Sequence, residues 1–163
     1  VELFTLCKSE QWQEILEKLS QKSKLVMSLT DPGGKIFLTS SGVRNPLCTE
    51  IRNKPEALKF ICSQTNTAMT QMVSRTKEPV VETCEGGMLR VAVPVLFEGE
   101  ILGQITGCGV LDNPDEIDAF YLSKQTGLEE SVINEMIKDI EICLEETVAS
   151  FSNEILDELQ KIG

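Results

Sequence analysis

Six cysteines and no histidine set the chemistry open to this chain of 163 residues. Without imidazole there is no His general base, no Ser–His or Cys–His couple, and no His-ligated metal or haem. Two cysteines stand among glycines, in Cys84-Glu85-Gly86-Gly87 and in Gly107-Cys108-Gly109. Glycine lets backbone come close to a neighbour, which is either a ligand or another strand. Glu85 and Arg90 are the charged side chains nearest the glycine pair; they either bind the oxygens of a polar ligand or solvate the end of a strand. Gln104 offers an inward hydrogen bond. There is no CxxC, so the thiol-redox and zinc-finger spacings are missing. Cys7 and Cys143 lie apart from these motifs and read as structural.

The elements that must position these residues centre on a β-hairpin. Leu89–Phe97 and Ile101–Val110 flank the turn Glu98-Gly99-Glu100. Val91, Val93 and Val95 share one face, and Ala92, Pro94 and Leu96 the other, so both faces are apolar enough to be covered. Pro94 has no N–H and predicts an edge or a bulge. Upstream, Ser9 caps a helix over 10–23 with Trp12, Ile15, Leu16 and Leu19 as its stripe. Strands over 25–29 and 35–39 surround the turn Asp31-Pro32-Gly33-Gly34. Asn45-Pro46 opens a short helix that Pro55 interrupts. Ser63–Asn66 reads as a capping stretch before a helix over 67–76, buried through Ala68, Met69, Met72 and Val73. After the hairpin, a short helix carrying Phe120 and Leu122 stops at Thr126-Gly127.

The last segment reads as one long helix over 129–161. Ile133, Ile137, Ile140, Leu144, Thr147 and Phe151 form a heptad seam, which slips by a stutter to Ile155, Leu159 and Ile162. Ten acids against Lys138 and Lys161 put about −8 of the net charge of −11 there. An acidic helix with a narrow seam predicts a dimerising connector, set against the alternative of a helix packed on its own domain. The expected division is therefore a body over 1–127 and a signalling and dimerisation helix over 128–163. The acidic balance disfavours direct nucleic-acid contact by this fragment. No run of eighteen apolar residues is present, so no membrane contact is expected either. No signal or transit peptide is recognisable, and a start without Met reads as a fragment of a longer cytoplasmic protein. In that setting the cysteines are thiols rather than disulfides.

The order of motifs is familiar: Asn45–Arg52, then Cys62-Ser63-Gln64-Thr65-Asn66, then Glu78–Met88, then Val91-Ala92-Val93-Pro94-Val95, then Gly99–Ile105. Over roughly Ser9 to Leu111 this resembles the PocR sensory domain, a divergent PAS-like module of bacterial and archaeal signalling proteins. The resemblance implies an α+β fold, a PAS-like small antiparallel sheet with flanking helices and a long C-terminal helix. It implies a sensor of small hydrocarbon derivatives such as diols, an output domain in the same full-length chain, and a helical way out. Two positions depart from the family: Glu85 replaces a usual histidine, and Cys108-Gly109 replaces a usual Gly-Gln pair. Both fall where a polar ligand is expected to touch the protein.

Cys48, Cys62 and Cys84 match the family's cysteine positions, and Cys108 lies one residue off a fourth. The topology so implied brings these thiols to one region. Four thiolates without histidine are the ligand set of an iron–sulfur cluster or an all-cysteine zinc site. The alternatives are thiol-based redox sensing and plain apolar packing beside an organic-ligand pocket. The expected ligand contacts are Glu85, Gly86, Gly87, Arg90, Gln104 and Gly109. The leading function is a non-catalytic sensor that binds a small-molecule ligand and relays occupancy through a homodimeric C-terminal helix. A metal or cluster sensor of redox state or gas, and a bare dimerisation module, stand as alternatives. No base–nucleophile spacing points to an enzyme.

Overall fold

The computed structural model describes residues 2–162. In chain order its elements are α1 (Leu3–Leu6), α2 (Ser9–Ser23), β1 (Val26–Thr30), β2 (Ile36–Thr39), α3 (Pro46–Arg52), α4 (Pro55–Ala57), α5 (Gln64–Thr76), β3 (Val80–Thr83), β4 (Leu89–Phe97), β5 (Glu100–Val110), α6 (Ala119–Thr126), α7 (Glu130–Ile137) and α8 (Glu145–Gln160). The strands form one antiparallel sheet in the order β2-β1-β5-β4-β3. This is the PAS-like α+β arrangement that the resemblance implies.

The β4–β5 hairpin occupies the centre, and its two-residue turn has positive φ at Glu98 (51°) and Gly99 (80°). That pair of left-handed residues matches the strands' own twist. Pro94 pairs with Gln104 beyond Ala92, the last β4 residue that β3 reaches. On this stretch β4 has a strand neighbour on one side only, which leaves the missing N–H unasked for.

Register sorts the side chains into two faces. On the first, Leu29, Val91, Val93 and Ile105 pack with Trp12 and Leu16 of α2 and with Val148, Phe151, Ile155 and Leu159 of α8. Trp12 is fully buried, and its Nε1–H donates to Leu3 O at 2.9 Å. The second face carries Ser28, Thr30, Arg90, Gln104 and Thr106, all buried, and α5 lies over its Ala92 through Met69 and Val73. A second apolar core caps one end of the sheet, where Leu47, Ile51, Ile61, Leu122 and Ile133 enclose Met88 and Leu111.

Two elements differ from the sequence reading. The Ser63–Asn66 stretch is not a cap: α4, a π-turn over Leu58–Ser63 and α5 form one unbroken helical run. The wide turn takes up an extra residue without a stop. Along α5, Thr70 rather than Ala68 joins Met69 and Val73 on the buried side.

The single C-terminal rod is replaced by two helices. Between them the chain extends and pairs with the end of β5: Leu111 N–H donates to Glu141 O (2.9 Å) and Cys143 N–H to Leu111 O (2.7 Å). Leu111 is fully buried, so its backbone groups must find partners, and they find them here rather than in a continuing helix. The seam is divided accordingly. Ile133 and Ile140 enter the second core, Leu144 and Thr147 are exposed, and Val148 takes Thr147's place inside.

Because α8 is built into the first core, Ile155→Ala should cost about 3 kcal/mol of unfolding free energy in urea titration, the usual penalty for a core truncation. A helix that merely led away from the body would lose less than about 0.5 kcal/mol.

Candidate ligand-binding site

The second sheet face is polar in its middle, which is an expensive place to be polar. Three rows cross it. The first is Arg90–Cys108–Val26, the second Ala92–Thr106–Ser28–Thr39, and the third Pro94–Gln104–Thr30. Ser28 and Thr39 satisfy each other at 3.1 Å, and Thr30 donates to Asp31 O at 2.9 Å. Arg90 is 8% exposed, and Gln104 is not exposed at all. Arg90 Nη2 donates to Asn66 Oδ1 of α5 at 2.6 Å, and Gln104 Nε2 donates weakly to Pro32 O at 3.5 Å. Arg90 Nε and Gln104 Oε1 are both buried and have no partner. Buried side-chain polar atoms are nearly always paired, so two orphans on one face set it apart from the rest of the interior. The turn over 31–34 closes down on α5 here. A Cβ at Gly34 would come within 2.8 Å of Asn66 Nδ2 and 3.0 Å of Thr70 Oγ1.

A cleft of about 140 Å³ opens at the Arg90 end, with Val26, Arg44, Asn45, Cys48, Cys108 and Gly109 in its wall. A bulge shapes it. Leu89 pairs with Val110 and Arg90 with Cys108, so Gly109 is the extra residue, at φ 109°. The bulge turns Cys108 to the polar face and leaves Val110 in the first core. Asn45 ties the cleft together. Its Oδ1 accepts from Cys48 N–H (2.8 Å) as the cap of α3, and its Nδ2 donates to Gly109 O (3.1 Å). Cys48 Sγ lies 3.3 Å from Met88 Sδ, and Arg44 Nη1 donates to Cys108 Sγ at 3.7 Å.

The four predicted thiols do gather around this end. Burial first, then the neighbouring Cys108, push the Cys48 thiol up to about 12, with Asn45 opposing and Cys84 and Cys62 adding to the rise. Burial also raises Cys62, against Arg52, and raises Cys84, against backbone N–H groups. These surroundings favour neutral thiols that pack with the second core. Among the described residues no three Cys, Asp or Glu side chains are placed to hold a metal ion, so the expected Cys48, Cys62, Cys84 and Cys108 ligand set is not assembled. Cys7 and Cys143 are half-buried beside the first core.

Of the other expected contacts, Arg90, Gln104 and Gly109 lie on the polar face or at the cleft. Glu85, Gly86 and Gly87 do not. Their turn is packed against protein, with Ile61 Cγ2 3.2 Å from where a Cβ of Gly86 would sit and Ile117 Cγ1 2.8 Å from that of Gly87. The close approach is to a neighbouring chain segment, and Glu85 is exposed. Sequence reasoning missed Asn66 and the Ser28–Thr106 row. The alternation of Ser28 and Thr30 with Met27 and Leu29 was a usable signal for that row. Asn66 carried none, because its position depends on the π-turn.

The family described as the sensory domain found in PocR matches residues 5–161. No curated protein matches the chain significantly. Among solved structures, a GAF domain/HD domain protein from Geobacter sulfurreducens is similar at 13% identity and TM-score 0.42, over 98% of this chain and 99% of that one. The inducer-binding domain of the PobR transcription factor from Acinetobacter, a double mutant in complex with 3-hydroxybenzoic acid, is similar at 13% identity and TM-score 0.39, over 90% of this chain and 96% of that one.

Cys48 gives a pH test. Its folded pKa lies above the unfolded value of about 8.5, so the native state holds the proton longer. Its contribution to stability is intact below that value and is lost as pH rises toward the folded value. At pH 10 the urea stability of the wild-type protein should have dropped by about 1–2 kcal/mol more than that of Cys48→Ser. Equal alkaline losses would contradict the placement.

Proposed function

The chain belongs to the family of sensory domains found in PocR, and from that premise we propose a non-catalytic sensor that binds a small organic ligand on the polar face of its sheet. The observation that carries this reading is the pair of buried, unpartnered atoms, Arg90 Nε and Gln104 Oε1. A ligand completes both and ends the cost of leaving them bare. Arg90 and Gln104 are its main contacts, Asn66 and Thr106 stand beside them, and Gly109 and Cys108 form the approach. Cys48 serves as an apolar wall of that approach, and Cys62 and Cys84 pack with the second core behind it.

Relay follows from the sheet's two faces. Arg90 and Ala92 face the ligand, while Leu89, Val91 and Val93 of the same strand belong to the core that holds Phe151 and Ile155 of α8. A ligand that prefers one setting of β4 biases the seat of α8, and with it the segment 128–163. That segment passes the signal to an output domain in the same full-length chain, in a cytoplasmic homodimer. No helix of the described residues is long and apolar enough to cross a membrane.

A thermal-shift screen of small alcohols, diols, acids and amides tests the binding step. At least one compound should raise Tm saturably. It should also slow amide hydrogen exchange both in β4 and in α8. A broad panel without one stabilising compound overturns the sensor reading. Binding that leaves α8 exchange unchanged overturns the relay.

A further inference from the structure

Arginine keeps its charge at any pH a folded protein meets. A buried charge is tolerated when an opposite charge or a full set of hydrogen bonds goes with it. Arg90 has neither. Among the described residues the ion pairs are Lys22–Glu154, Lys138–Glu135 and Lys161–Glu158, none of which involves it. Glu82, its cross-strand neighbour on β3, is exposed. The one acceptor in reach is the neutral amide oxygen of Asn66, and Nε–H has none. The missing partner is therefore an acceptor with negative charge. Nε and Nη2 form one edge of the guanidinium, the edge that a carboxylate grips with two parallel hydrogen bonds. Asn66 Oδ1 already takes one hydrogen of Nη2.

The surroundings agree. Arg44, Arg52 and Arg90, three of the chain's four arginines, all lie close enough to favour a thiolate at Cys62. In the wall of the neighbouring cleft Asp139 and Glu141 stand with Lys24 and Arg44, two charges of each sign, and Arg90 is not among them.

The second orphan has the opposite polarity. Gln104 gives its Nε2–H to Pro32 O, which fixes Oε1 as the free acceptor. Arg90 and Gln104 share a face, with the Ala92–Thr106 row between theirs. Four residues of strand separate the two rows, roughly 13 Å, less the reach of the arginine side chain.

Resting on the sensor reading above, we propose that the ligand is a small organic acid with a hydrogen-bond donor, a hydroxy carboxylate. Its carboxylate accepts from Arg90 Nε–H and Nη2–H, displacing Asn66, and its hydroxyl donates to Gln104 Oε1. The class is set by the two orphans together, since a neutral diol leaves the buried guanidinium without its counter-charge.

Titration calorimetry of the whole chain with glycolate, lactate, 3-hydroxybutyrate and mandelate, each beside its primary amide and its diol, tests this. At least one hydroxy acid should bind at least tenfold tighter than its amide and diol. Arg90→Gln should weaken that acid roughly 10- to 100-fold. Gln104→Leu should weaken the hydroxy acid and leave its deoxy parent unchanged. Asn66→Ala, which keeps the guanidinium, should bind the acid as tightly or more so. Diols or amides binding as well as the acids, or Asn66→Ala weakening the acid tenfold, overturns the anion assignment and leaves the sensor reading standing. If no acid, amide or diol binds, both fall.

Discussion

A strand buried on both faces has nowhere to put a charge, and β4 and β5 are such strands. Val91, Val93 and Ile105 fill one side and α5 covers the other, yet Arg90 and Gln104 point to that covered side. The desolvation of a guanidinium and an amide is offset only in part by Asn66 and Pro32. The rest of the architecture can be read as the means of keeping that polar strip dry and in place: α5 as its cover, the turn over 31–34 as its closure, and the Gly109 bulge as its opening.

The same strand pair serves two ends. Side chains of β4 alternate between the polar strip and the core that seats α8, so no long pathway is needed between ligand and output segment. Densely packed interiors respond to a small displacement by repacking rather than by stretching. The Leu111 pairing with 141–143 adds a second tie between the hairpin and the C-terminal segment. The thiols around Cys48 fit this picture as small apolar groups. Burial raises the thiol pKa of Cys48, Cys62 and Cys84, and Asn45 orients α3 over the cleft.

Much of the fold was legible in the sequence because it depends on local rules. The Glu98-Gly99 turn, the Asn45-Pro46 helix start and the alternation of β4 are written in adjacent residues. What was not legible depended on distant partners. The acidic seam read as a coiled-coil rod because its apolar spacing is the same whether it meets a second chain or its own sheet. Only the demand of buried Leu111 for backbone partners breaks it at 141–143. At the site, the glycine pair 86–87 drew attention for its freedom to approach a ligand, and Ile61 and Ile117 use that freedom instead. Arg90 and Gln104 were legible as polar residues in apolar strands. That both would be left with an unpaired atom is a property of the packed structure alone.

The most direct measurement is the ¹⁵N–¹H resonance of Arg90 Nε, assigned against Arg90→Lys and followed during titration with whichever compound stabilises the protein. An orphan donor that gains an acceptor shifts downfield and exchanges more slowly with water, and the account predicts both changes at the stoichiometric point. A ligand that saturates the protein while that resonance stays where it was would show that the polar strip is not where binding occurs.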